Sequence, residues 1–264
     1  MNIWFAFGMS VIAGLSTGIG SLIAFLAKTT NKRFLGGSLG FSAGVMIYIS
    51  MIEIFSGAQD TLIAAMGPKP GAIATVASFF GGMAIIALID KFIPHENNHH
   101  ALTKQAPPEE NGSHAQLMRT GLFTAIAIAV HNFPEGLATF VSALQNPTMA
   151  IPIVVAIAIH NIPEGIAVSV PIYYATGSRA KAFFYSFFSG LAEPVGAIVG
   201  YLLLLPIMND IVFGVLFAAV AGIMVFISLE ELLPSAREYG GHKLSVYGVV
   251  AGMAVMAVSL VLFL

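Results

Sequence analysis

The sequence predicts an all-α, polytopic membrane protein with eight transmembrane helices arranged as an inverted repeat. Three observations predict it. Of the 264 residues, 57% are hydrophobic and only 9% are charged, whereas a soluble domain carries about 25% charged residues. The apolar residues gather into eight stretches, each close to the ~20 residues that cross a bilayer. Residues of the first three stretches recur in the last three. The chain is expected to form a single transmembrane domain over 1–264, with the lipid bilayer as its surroundings.

The composition also excludes function classes. A net charge of −2 gives no ground for a nucleic-acid partner. There is no cysteine, so disulfides and thiolate ligands are ruled out, and a metal must be held by oxygen and imidazole nitrogen. The first stretch begins at Ile3-Trp4-Phe5 without a positive leader, which argues against a cleaved signal peptide.

Taken in order, the stretches run over roughly 3–27, 34–57, 71–93, 119–143, 148–173, 180–205, 210–233 and 244–264. Trp4 and Tyr173 are placed for membrane interfaces. Lys28, Lys32 and Arg33 fall between stretches one and two, and Lys91, Lys104 and Arg119 between three and four. Arg179 and Lys181 fall between five and six, and Arg237 and Lys243 between seven and eight. Of 11 basic residues, Lys69 alone lies in a loop on the opposite side. Basic loops stay in the cytoplasm, so both termini are expected on the extracytoplasmic side.

One sizeable polar segment, at about 94–118, belongs to the cytoplasmic face. It holds His95, His99, His100 and His114 among acidic, amide and proline residues, and its polarity predicts disorder from His95 to Met118. Its composition fits a weak metal-binding loop and equally a plain solvated linker.

Stretches four and five carry the chemistry. They contain His131-Asn132-Phe133-Pro134-Glu135-Gly136 and His160-Asn161-Ile162-Pro163-Glu164-Gly165, both at mid-membrane depth. On a helix advancing about 100° per residue, Asn lies about 100° from His and Glu about 40° from it. The carboxylate thus falls between imidazole and amide on one stripe, which makes a metal-ligand set. Two facing stripes have room for one ion, or for two ions bridged by the glutamates. Pro134 and Pro163 lack an N–H for the preceding turn, so a kink is expected in each helix with a carbonyl released. Broken backbone at membrane depth is tolerated where it lines a cavity. A kinked helix with a polar packing patch is the plainer reading. The phrase lacks the second helical histidine and the base of the His-Glu-x-x-His protease motif.

The repeat pairs Ala43–Ile54 with Ala221–Leu232, Gly82 with Gly252, and Gly14, Thr17 and Gly20 with Gly190, Glu193 and Gly196. Because the charge pattern makes matched stretches antiparallel, this is an inverted repeat, as in many secondary transporters. Glu193 stands where the first half has Thr17 and supplies a third carboxylate beside Pro194. Glu53 lies toward the outside and Glu230 and Glu231 toward the cytoplasm; they fit either solvated helix ends or points of ion access and release. No lysine or arginine lies inside an apolar stretch to neutralise Glu135, Glu164 or Glu193. A buried carboxylate must be protonated or meet a cation, here a divalent metal replaced by protons when it leaves.

The doubled His-Asn-x-Pro-Glu-Gly phrase, the eight spans, the His-rich loop before stretch four and Ala192-Glu193-Pro194 resemble the ZIP (Zrt-, Irt-like) family of metal transporters. The resemblance covers essentially the whole chain and is strongest to short bacterial members. It implies a 3+2+3 helical bundle in a bacterial inner membrane, taking up zinc, with iron, manganese, cobalt or cadmium (Fe2+, Mn2+, Co2+, Cd2+) as further substrates and no organic cofactor. The family's metal positions map onto His131, Asn132, Glu135, His160, Asn161, Glu164 and Glu193. Some relatives replace the pair at His160-Asn161, so the ligand set varies, and several are homodimers. A carrier with alternating exposure of a midplane site is the expectation. An ion channel on the same site would need weaker binding, and an intramembrane metal hydrolase would need a separate base.

Overall fold

The computed structural model describes residues 2–26, 32–92, 110–145, 147–204, 207 and 209–262. Among them the regular structure is entirely helical, without strands. Helix α1 spans Ile3–Leu26, α2 Lys32–Ile49, α3 Ser56–Met66, α4 Pro68–Phe92, α5 Glu110–Gln145 and α6 Pro147–Thr176. Then come α7 Arg179–Gly190, α8 Ala192–Val199, α9 Asp210–Ile227 and α10 Leu233–Leu262. Among the described residues, six continuous stretches are long and apolar enough to cross a membrane, from Ile3–Ile23 to Asp210–Leu262. This is a multi-pass membrane architecture.

Three features depart from the sequence expectation. The polar segment expected to be disordered as far as Met118 is helical from Glu110 onward. After Pro108 it contains no helix breaker stronger than Gly112, and Ala115-Gln116-Leu117-Met118-Arg119 are good helix formers, so α5 extends past the apolar stretch. The sixth stretch is not one helix: α7 ends at Gly190 and α8 begins at Ala192, two residues before Pro194. The link expected between stretches seven and eight is helical too, apart from Gly241, whose φ of 75° and ψ of 165° interrupt α10. Only glycine takes that backbone conformation without strain. By contrast, α5 remains helical through Pro134 and α6 through Pro152, Pro163 and Pro171.

Wider π turns join α2 to α3 over Ser50–Phe55 and α9 to α10 over Ser228–Leu232. These two segments are partners in the sequence repeat, so the local irregularity repeats along with the sequence. Short turns are capped conventionally: Ser178 Oγ accepts from Lys181 N–H at 3.3 Å and Asn209 Oδ1 from Val212 N–H at 3.0 Å.

Close backbone approaches at small residues dominate the packing, as expected where lipid removes the hydrophobic drive between helices. A Cβ on Gly20 would strike the carbonyl of Ile162, and one on Gly196 the carbonyl of Phe133. One on Gly165 would strike Thr17 and one on Gly136 would strike Glu193. Gly44 and Gly222 meet Val249 and Phe79 in the same way, and Gly82 and Gly252 meet Ala219 and Phe41. In every case the two members are partners in the sequence repeat. Helices α1, α5, α6, α7 and α8 form one packed group, α2 lies along α10 and α4 along α9. Outward, α4 presents Ile73, Val76, Phe80, Ile85 and Leu88, all exposed and suited to lipid.

Candidate metal centre

The two motif helices bring their polar residues into the middle of the packed group. Asn132, Glu135, Asn161, Glu164 and Glu193 are each 0% exposed. Helical spacing places Asn and Glu of each motif on one face, and Gly136 and Gly165 let that face approach the neighbouring backbone closely enough to enclose it.

Contacts tie the elements together. Asn161 Nδ2 donates to the Glu193 carboxylate and also to the Ala13 carbonyl at 3.1 Å. Asn132 Nδ2 donates to the Ser189 carbonyl at 3.5 Å. Ala13 and Ser189 are again repeat partners, so the two amides are anchored in equivalent ways. Glu135 and Glu164 lie near enough to Glu193 to act on it electrostatically. Ser10 Oγ donates to the Gly136 carbonyl at 3.2 Å and Ser186 Oγ to the Gly165 carbonyl at 3.2 Å. These serines, 176 positions apart like Thr17 and Glu193, fix each motif at its glycine. Sequence reasoning missed them, although extending the repeat alignment four residues upstream of Gly14 finds the pair.

With their Nδ2 groups committed to carbonyls, the asparagines turn Oδ1 the other way. Among the described residues Asn132 Oδ1, Asn161 Oδ1 and Glu193 Oε2 are buried and accept no hydrogen bond. A buried oxygen in that state is costly unless something electropositive meets it. The same residues include three buried charged side chains, Glu135, Glu164 and Glu193, and no buried lysine or arginine. A buried, oxygen-rich cluster of carboxylates and amides suits a cation.

The remaining predicted residues are distributed differently. Both motif histidines lie on their helices, but the side chains of His131 and His160 are outside the described part of the structure, as are residues His95, His99 and His100. Among the described residues no three histidine, aspartate or glutamate side chains gather tightly enough to hold an ion. Glu53 is half-buried on the first π turn, while Glu231 is half-buried and Glu230 exposed on the last.

The profile of the family described as ZIP Zinc transporter matches residues 91–260. The chain belongs to the ZIP family. This ZIP protein is 65% identical over 263 residues to the zinc transporter ZupT of Streptococcus mutans, covering 100% of this chain and 99% of that one. It is 61% identical to the zinc transporter ZupT of Clostridium perfringens, covering 100% and 97%. To the zinc transporter ZupT of Oceanobacillus iheyensis it is 60% identical, covering 99% and 98%. A ZIP protein belongs among transporters, not enzymes, which removes the hydrolase reading.

Proposed function

We propose that this protein carries zinc, and with it other divalent cations such as Fe2+, Mn2+, Co2+ and Cd2+, across a bacterial inner membrane into the cytoplasm. The single observation that carries the proposal is the charge balance of the buried cluster: three carboxylates with no buried cationic side chain among the described residues. The ion is the substrate. Glu135 and Glu164 supply shared charge, His131 and His160 nitrogen, and Asn132, Asn161 and Glu193 oxygen, a mixed set that zinc accepts. The same set has enough donors for two ions bridged by the glutamates.

The architecture we infer is eight spans arranged 3+2+3, with both termini outside. Support comes from the glycine contacts, which pair α1 with α6 as α8 pairs with α5, and α2 with α10 as α9 pairs with α4. The 53-residue stretch Asp210–Leu262 exceeds one crossing and breaks at Gly241, which favours two spans. The fourth span is the apolar part of α5.

A carrier fits better than a channel, because a fully buried cluster of full charges binds too firmly for rapid through-flow. Purified protein in zinc-free liposomes should take up external zinc with saturation at micromolar concentration. Flux rising linearly with zinc, accompanied by unitary currents, would reject the carrier. Following internal pH in the same vesicles reads out whether protons leave as zinc enters.

A further inference from the structure

The transport reading above leaves Thr17 unused, and this residue has an unusual position. It is 0% exposed, and its hydroxyl oxygen makes no hydrogen bond among the described residues. Thr75 satisfies this group locally on the Gly71 carbonyl at 2.9 Å, whereas Thr139 Oγ1 is buried without a hydrogen bond as Thr17 Oγ1 is; what sets Thr17 apart is its place beside the motif helices. Thr17 is not simply misplaced, because its own carbonyl accepts from Ser186 Oγ at 3.3 Å and its backbone abuts Gly165.

The repeat explains the position. Glu193 abuts Gly136 as Thr17 abuts Gly165. Ser189, four residues before Glu193, anchors Asn132 as Ala13, four residues before Thr17, anchors Asn161. Glu193 is long enough to cross to Asn161 and bond it. Its counterpart is short, so the equivalent bond between Thr17 and Asn132 is not made. Instead Thr17 Oγ1 and Asn132 Oδ1 are both buried oxygens that accept nothing.

We propose that Thr17 is a further ion-binding residue: its hydroxyl and the Asn132 amide oxygen form a neutral oxygen pole for the transported divalent cation. This pole is the pseudo-symmetric partner of the charged Glu193–Asn161 pole. A hydroxyl oxygen carries lone pairs for a hard cation or for water still bound to it. Being neutral, it adds a ligand without adding a charge that would slow release. The inference rests on the reading of the cluster as the transport centre.

The test is zinc uptake by reconstituted protein, with KM and maximal rate resolved separately. Thr17→Val keeps the shape and removes the oxygen, and Thr17→Ser keeps the oxygen. Thr17→Val should raise KM for zinc about tenfold, the range seen when a group supporting a metal site is removed, while Thr17→Ser stays close to the parent value. Thr17→Ala, which adds no bulk, should shift KM as Thr17→Val does, so poor assembly of one variant leaves the result readable. A hydroxyl with only a packing role would leave KM unchanged in all three variants, and that outcome overturns the proposal. Glu135→Ala serves as the separate control. If it transports normally, the centre itself is wrongly assigned; if it is inactive while Thr17→Val matches the parent, only the assignment of Thr17 fails.

Discussion

Helix α1 and the pair α7–α8 occupy equivalent places, one against each motif helix, and they differ in two ways. Helix α1 is continuous from Ile3 to Leu26 and carries Thr17, whereas its counterpart breaks at Leu191 and carries Glu193 followed by Pro194. Their backbone contacts are the same down to the serine that fixes each motif glycine. The scaffold is therefore symmetric and the charge on it is not. Packing constrains the glycines and serines of both halves alike, because a backbone contact at carbonyl distance admits no side chain. The side chain carried by the residue at that contact is free to differ. On the proposed transport reading, a carboxylate on one side alone gives a centre of three carboxylates, close to what one divalent ion and a proton neutralise.

The shared half of this comparison is the easiest to break. Gly136→Val or Gly165→Val would drive a side chain into the backbone of Glu193 or Thr17. Since overpacking a well-filled core already costs about 1–3 kcal/mol, and here the neighbour is backbone, either variant should fail to assemble. Gly81→Ala, with nothing within 4 Å of the added carbon, should gain up to about 1 kcal/mol of helix propensity. Detergent-solubilised yield and thermal unfolding check both.

The unlike half is sharpened by metal competition. On the proposed ligand assignment, the His side of the stripes offers nitrogen with the shared carboxylates, and the Asn side offers only oxygen. His160→Ala should therefore impair zinc uptake more than iron uptake, and Glu193→Ala the reverse, by about tenfold in the ratio. Competitive uptake of radiolabelled zinc and iron measures it; equal losses in both variants would mean one undivided site.

The antiparallel relation of the halves is checked with cysteines, since the chain has none of its own. In intact cells a cysteine at Asp60 should react with an impermeant thiol reagent and one at Lys181 should not. Both positions are exposed, so access depends on the side of the membrane. The reversed pattern would invert the topology.

Smallest of all, Ser10→Ala and Ser186→Ala should each cost about 0.5–1.5 kcal/mol, the net worth of a hydrogen bond. The two losses should be similar if the serines are true equivalents, which thermal unfolding can compare.

Much of this was legible in the sequence. The doubled motif, the third carboxylate at Glu193 and the glycine pairs stand in the repeat itself, because helical period and backbone proximity leave residue-type signatures. The break at Leu191 had its mark in Pro194, which offers no N–H to the Gly190 carbonyl, but the π turns at Ser50–Phe55 and Ser228–Leu232 were not legible. They depend on hydrogen-bond register within apolar runs, where neighbouring residues are chemically alike and composition carries no mark of the change. The helical start at Glu110 was hidden by polar residues that read as linker, although local propensity past Pro108 favoured helix. Thr17 looked merely neutral beside Glu193; that its hydroxyl is buried without a hydrogen bond is visible only in the fold.

The central claim, that the carboxylates of the two motifs hold the transported ion, is tested most directly by zinc binding and uptake in Glu135→Ala and Glu164→Ala. Each purified variant would be titrated with zinc and then reconstituted beside the parent at matched yield. Loss of uptake in both, with high-affinity binding weakened at least about tenfold and folding intact, is the predicted result. Near-normal uptake by either properly assembled variant would contradict it.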